Sequence, residues 1–243
     1  MPACIECGYG VNRLYIEYGK GNVVLTKCTR CHRFADKYIE HDLVILVIDM
    51  VLHKPQVYRH LIFNRIEYCD VGLPSSIKRL EVLIILFDIY IKWFQIERIF
   101  ESTSCTWLNL PPLIQYFHIS IFSLIEQFLY HIVIRFLVQC FYGYKFAIFK
   151  YNYVSLALII SNFGKLLLVA MAIWDYHGLQ YSWLLALLTF TSNVEALKAF
   201  LETKYLFPFI IILSGWIVRM LIIFTFSYTY FDTHLTLWPI LFT

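Results

Sequence analysis

Four cysteines open the chain in two C-x2-C pairs, Cys4 with Cys7 and Cys28 with Cys31. Such pairs are the donor set of a tetrahedral Zn²⁺ centre, because each tight turn offers two thiolates to one point. A four-thiolate centre is closed to water and substrate, so Zn²⁺ held there folds the segment rather than catalyses. Two disulfides, or four unrelated buried thiols, are the competing readings. Nothing resembling a secretory signal stands before Cys4, and a reducing compartment favours metal. His32 is expected at the surface or behind the ligands, and Cys69, Cys105 and Cys140 read as packing residues. Other chemistry is sparse: the chain has no H-E-x-x-H, G-x-S-x-G, G-x-x-x-x-G-K-[ST] or G-x-G-x-x-G. His131 with Glu126 or Arg135 could form an acid/base pair, but without a nucleophile or metal beside it a satisfied interior histidine is simpler. The expectation is a non-enzyme.

The cysteine pairs need a small scaffold. Gly8 can take the positive φ that a knuckle requires, and Gly19-Lys20-Gly21-Asn22 supplies a hairpin turn between strands over Leu14–Tyr18 and Val23–Thr26. Residues 1–35 therefore read as a β zinc ribbon. The remainder is of another kind. With 60% hydrophobic and only 15% charged residues, the 243-residue chain falls far below the charge density of soluble domains, about a quarter, and reads as a membrane protein. A net charge of +3 gives nucleic-acid binding little support.

Crossing about 30 Å of hydrocarbon takes roughly 20 apolar residues, and residues 80–99, 113–140, 153–174, 182–203 and 206–230 qualify by length. The fold class is thus mainly α: a polytopic bundle of about five spans over residues 80–230, behind the ribbon. The first span is the weakest, since Asp88 and Lys92 together cost about 5 to 7 kcal/mol of insertion, roughly cancelling the apolar gain. Glu81, Asp88, Lys92 and Gln95 share a helical stripe, which suits an interfacial helix or a span whose polar face meets other helices. Charge in the connections decides. The N-terminal region, the stretch with Lys145 and Lys150, and that with Lys198 and Lys204 are basic. The connection after Phe100, that around Asp175, and the tail 231–243 are not. Five spans place every basic region in the cytosol, with the ribbon cytosolic and the C-terminus lumenal.

Residues 36–66 hold an apolar run too short to cross, Leu43–Leu52, then Lys54-Pro55 and a second amphipathic piece. They read as an interfacial helical pair lying in the headgroup layer, with Tyr58, Arg59, His60 and Arg65 meeting lipid or a partner. Packing on the ribbon is the alternative. Deeper, Glu126, Gln127, His131, Arg135, Ser161, Asn162, Lys165, Thr189, Ser192, Asn193, Glu195 and Arg219 interrupt the spans. They either line a groove for a lipid headgroup, with His131, Arg135, Asn162 and Lys165 as candidate contacts, or pair between helices. Leu86, Tyr90 and Lys92, and Val138, Tyr142 and Lys145, fit a loose cholesterol-contact pattern that arises easily among eighteen tyrosines.

Cys4-Ile5-Glu6-Cys7, Leu14-Tyr15 with Tyr18, Leu25-Thr26 before Cys28 and Cys31, Asp36-Lys37-Tyr38-Ile39-Glu40, and Tyr58-Arg59-His60 with Phe63-Asn64-Arg65 together resemble the homology domain of the Arv family. Pro111-Pro112 and Gln115-Tyr116 resemble a weaker second block. The resemblance implies an endoplasmic-reticulum membrane protein of sterol homeostasis, with links to sphingolipid metabolism and glycosylphosphatidylinositol anchor synthesis. It implies Zn²⁺ on Cys4, Cys7, Cys28 and Cys31, and partners among membrane lipids: sterols and inositol glycolipids. The alternative is a non-enzymatic adaptor that assembles or regulates a lipid-biosynthesis enzyme complex.

Overall fold

A computed structural model describes residues 2–19, 23–66, 73–100, 109–142, 148–167 and 179–231. The expected turn at Lys20–Asn22, Cys69 and Cys105, the loops bearing Lys145 and Asp175, and the tail beyond Phe231 lie outside the described residues. Two short strands, β1 (Tyr15–Glu17) and β2 (Val23–Leu25), pair antiparallel with Ile16 opposite Val24. On either side of this ribbon the cysteine turns repeat one geometry. Cys4 N–H donates to Tyr9 O and Gly8 N–H to Cys4 O; Cys28 N–H donates to Arg33 O and His32 N–H to Cys28 O. Gly8 and His32 hold equivalent places, with φ of 74° and 59°. Histidine is among the side chains that tolerate this region, and His32 is accordingly exposed rather than aimed at the sulfurs.

A 3₁₀ turn (Lys37–Glu40) leads into α1 (Leu43–Val51) and α2 (Pro55–Arg59), which continues as a π turn over His60–Arg65. Pro55 opens α2 where its missing N–H costs nothing. Among the described residues five further helical segments follow: α3 (Ser75–Phe100), α4 (Pro112–Tyr142), α5 (Ile148–Ser161) tightening into 3₁₀ over Asn162–Leu166, α6 (Leu179–Leu201) and α7 (Leu206–Phe231). The protein is mostly helical. Among the described residues, three helices are long and apolar enough to cross a membrane: Pro112–Phe141, Trp183–Leu201 and Leu206–Phe226. α3 matches them in length but carries more charge, and the described part of α5 is short.

The apolar core does not stop at the head. Ile5 and Tyr38 belong to one buried cluster with Leu46, Met50, Val57, Tyr58 and Ile62, then Ile77 and Ile84 of α3, Leu156, Ala157, Ile159 and Ile160 of α5, and Ala196 and Ala199 of α6. Residues 1–35 and 36–66 are therefore welded to the bundle. A second cluster joins α3, α4 and α7 around Ile96, Ile119 and Ile223; a third joins α4 to α7 around Tyr130, Leu158, Leu197 and Ile211. Gly215 lets α7 approach α4 closely, since a Cβ there would stand 2.9 Å from the Tyr130 ring.

Candidate functional site: a four-cysteine head joined to a charged bundle core

All four cysteine sulfurs lie within 4.8 Å of one another. Cys4 to Cys31 and Cys7 to Cys28 are each 3.7 Å apart. A tetrahedral ion with bonds of about 2.3 Å needs sulfurs about 3.8 Å apart, so the set fits Zn²⁺ in donor type and spacing. Burial pushes the Cys4 thiol up to about 12, whereas the Cys31 backbone N–H draws Cys28 down to about 7.

The first turn is held from below by α2 and its π extension. Arg59 donates from one nitrogen to the carbonyls of Ile5 and Glu6, both at 2.9 Å. Asn64 accepts from Ala3 N–H at 2.8 Å and donates to Ala3 O at 2.9 Å. Asp36, fully buried, accepts from the Tyr38 N–H at 3.0 Å, contacts His60 Nδ1 at 2.6 Å and accepts from Asn64 at 2.6 Å. The Tyr58 hydroxyl, also buried, donates to Met50 O at 3.2 Å and meets Ser192 Oγ of α6 at 2.7 Å. Tyr58, Arg59 and His60, expected to meet lipid or a partner, make these bonds within the protein, and Arg59 keeps partial exposure. Arg65 alone of that set is exposed.

Deeper, the interrupting polar residues pair with one another. Lys92 reaches Asp88 Oδ2 and Glu126 Oε2, both at 2.6 Å, and Ser123 at 3.2 Å. Lys165 donates to Asp88 Oδ1 at 2.6 Å, and Arg219 to Glu126 Oε1 at 2.6 Å. One chain of contacts therefore ties α3, α4, the 3₁₀ turn after α5, and α7. All five charged groups are buried. Asp88, Glu126 and Arg219 each stand within about one residue of the middle of their helix. Burial at that depth demands satisfied partners, which the cluster supplies. The polar stripe of α3 faces the bundle, as one of its two readings required.

The remaining candidates divide. Gln127 donates to Glu81 Oε1 at 2.9 Å and lies 3.1 Å from His131 Nε2, while Arg135 donates to Ser155 at 2.8 Å. Ser161 donates to Asn193, whose amide donates to Asn162 at 3.2 Å. Asn162 and Lys165, 1% and 4% exposed, are taken up in helix packing; His131 and Arg135 keep partial exposure. The 3₁₀ tightening turns Lys165 toward Asp88, and Gly164 permits it, since a Cβ there would meet Thr189 Oγ1 at 2.8 Å. Sequence reasoning missed the acceptor role of Asp36 and the bond between Tyr38 and Asp49 at 2.7 Å. Their only signal was the D-K-Y block itself.

A cysteine-clasped head fused to an apolar helical bundle with an internal charge cluster defines a membrane protein. A model of the Arv1-like family matches residues 3–197, which takes in the head and the bundle into α6 but not α7. The chain belongs to that family. It is 38% identical over 227 residues to "Protein arv1 homolog" of Dictyostelium discoideum, covering 90% of this chain and 92% of that protein. It is 32% identical over 231 residues to "Protein arv1" of Schizosaccharomyces pombe, covering 92% and 84%. It is 30% identical over 234 residues to human "Protein ARV1", covering 92% and 81%. No solved structure matches.

Removing one member of the cluster strands its partners. Glu126→Ala leaves Lys92 and Arg219 short of a carboxylate and is expected to cost about 3 to 5 kcal/mol, whereas Leu124→Ala on the exposed face of α4 costs far less. Thermal unfolding in detergent micelles checks this. Equal melting temperatures for the two variants would show that the cluster is not a stabilising unit.

Proposed function

We propose that the protein is a non-enzymatic, multi-pass membrane protein of the endoplasmic reticulum that handles sterols and inositol glycolipids. Its head holds structural Zn²⁺ on the cytosolic side, and its C-terminus is lumenal. The observation that carries the reading is the family match across residues 3–197, together with the family role the resemblance implies. Links to sphingolipid metabolism and glycosylphosphatidylinositol anchor synthesis belong to the same proposal. Five spans are supported by the pairing inside the bundle, which removes the objection to α3: Asp88 and Lys92 reach the hydrocarbon already matched. The basic connections then fall on one side. Arg65, His131 and Arg135 keep the exposure that contact with a lipid headgroup needs. No nucleotide motif is present, so movement of lipid runs down its own gradient or amounts to local handover.

A second reading, an adaptor for a lipid-biosynthesis enzyme, is favoured by one observation. The ribbon turns Tyr15, Ile16, Tyr18, Val24 and Phe34 outward, an aromatic-rich surface of the kind that binds protein.

Chelating the metal from purified protein is expected to open the head to protease between Pro2 and Ala35 while bundle helicity persists. Unchanged protection in metal-free protein would remove Zn²⁺ from the account. Reconstituted protein is expected to transfer or scramble a fluorescent sterol or an inositol glycolipid faster than protein-free vesicles do. Rates equal to empty vesicles for both lipids would exclude direct lipid handling and leave the adaptor.

A further inference from the structure

Contacts between the head and α6 form a ruler along one straight element. Glu202, just past the end of α6, places its carboxylate where a Cβ on Gly8 would stand. Phe63 stacks on Phe200 with ring centroids 6.1 Å apart. Tyr58 bonds Ser192, and His53, in the turn between α1 and α2, lies 3.3 Å from Leu188 O and 2.8 Å from Thr191 Oγ1. The order is monotonic: the cysteine turn is level with residue 202 and the α1–α2 turn with residue 188. At 1.5 Å per residue those levels are about 21 Å apart. Lys198 stands near the upper border, paired with Glu195 and lying 3.4 Å from the Tyr205 ring centroid. From Lys198 to Leu188 is about 15 Å, half of a hydrocarbon core of about 30 Å.

We infer that Leu43–Arg65 is a re-entrant hairpin immersed in the head-side leaflet, its turn near mid-bilayer and its α1 face bathed by lipid acyl chains. The inference rests on reading α6 as a membrane span; it replaces the expected pair lying flat in the headgroup layer. Leu43, Val44, Ile45, Val47, Ile48 and Leu52 are all exposed, and this face continues into exposed Leu187 and Leu184 of α6. Acyl chains are the matching occupant. An aqueous surface of this size would be unfavourable, and α1 is too short to cross.

At the deep end of the hairpin the polar groups find partners within the protein, which is the condition lipid imposes. At the turn, Leu52, His53 and Lys54 N–H donate to Ile48, Met50 and Asp49 carbonyls. The one carboxylate of α1, Asp49, faces inward and is matched by Lys54 at 2.6 Å and the Tyr38 hydroxyl at 2.7 Å. The hairpin thus carries no unmatched charge to depth, and the head is fixed to the bilayer by insertion as well as by α6.

The test places a fluorescent amino acid in turn at Leu52, Ile48, Leu187 and Tyr18 of the full chain in phosphatidylcholine vesicles. Quenching is read with aqueous iodide and with lipids bearing a nitroxide near the glycerol or near the methyl end. Leu52 and Leu187 are expected to be quenched several-fold more by the methyl-end nitroxide than Tyr18, which responds to iodide. A Leu52 reporter quenched by iodide or only by the glycerol-end nitroxide, with Leu187 still lipid-quenched, overturns the hairpin and spares α6. Leu52 and Ile48 reporters silent to every quencher mean a protein covers the face, which also overturns it. Iodide quenching at Leu187 defeats the underlying span.

Discussion

A lysine amine or a carboxylate is carried into hydrocarbon only beside a group of opposite charge, and among the described residues the bundle gathers Lys92, Lys165 and Arg219 around Asp88 and Glu126, each ion touching at least one counter-ion. That requirement fixes how the helices turn. α3 must aim Asp88 and Lys92 inward, α4 must meet them with Glu126, and α7 must bring Arg219 to the far side of the same carboxylate. The segment after α5 closes the set with Lys165. Rotating any one helix by half a turn would expose a charge to lipid and strand its partner, so the cluster specifies the packing rather than adding a generic attraction.

The head obeys the same logic at smaller scale. Asp36 gathers a backbone N–H, His60 and Asn64, while Asn64 and Arg59 hold the backbone of the first cysteine turn. The cysteine centre therefore grips the helical hairpin, and the hairpin grips α6 through Tyr58 and Ser192. The apolar cluster that runs from Ile5 to Ala199 joins these contacts in one body. A perturbation at the sulfurs has a direct packed route to α6.

What was legible in the sequence was local. The cysteine turns showed as two short motifs with equal internal spacing, and the helices as apolar runs, although the expected end of the third run at residue 174 lies outside the described residues. The stripe of α3 was visible because its members lie a few residues apart. The pairing was not visible. Lys165 and Asp88 are 77 residues apart, and Tyr58 and Ser192 are 134 apart. Which of several buried cations meets which carboxylate depends on helix rotation, and no spacing along the chain encodes it. Tyr58-Arg59-His60 misled for a related reason. Basic and aromatic side chains beside a bilayer suggest headgroups, yet Tyr58 bonds Met50 O and Ser192, Arg59 the carbonyls of Ile5 and Glu6, and His60 contacts Asp36, all distant in sequence or on another element.

If the charge cluster is what seats α3 in the membrane, the connection between α3 and α4 lies across the bilayer from the head. The most direct measurement inserts a glycosylation acceptor loop between Phe100 and Asn109 of the full chain, expressed with microsomes, and a second acceptor in the head before Cys4. Modification of the first and not the second is the predicted result. An unmodified loop beside a modified acceptor placed between α4 and α5 would show that α3 does not cross, and would contradict the account.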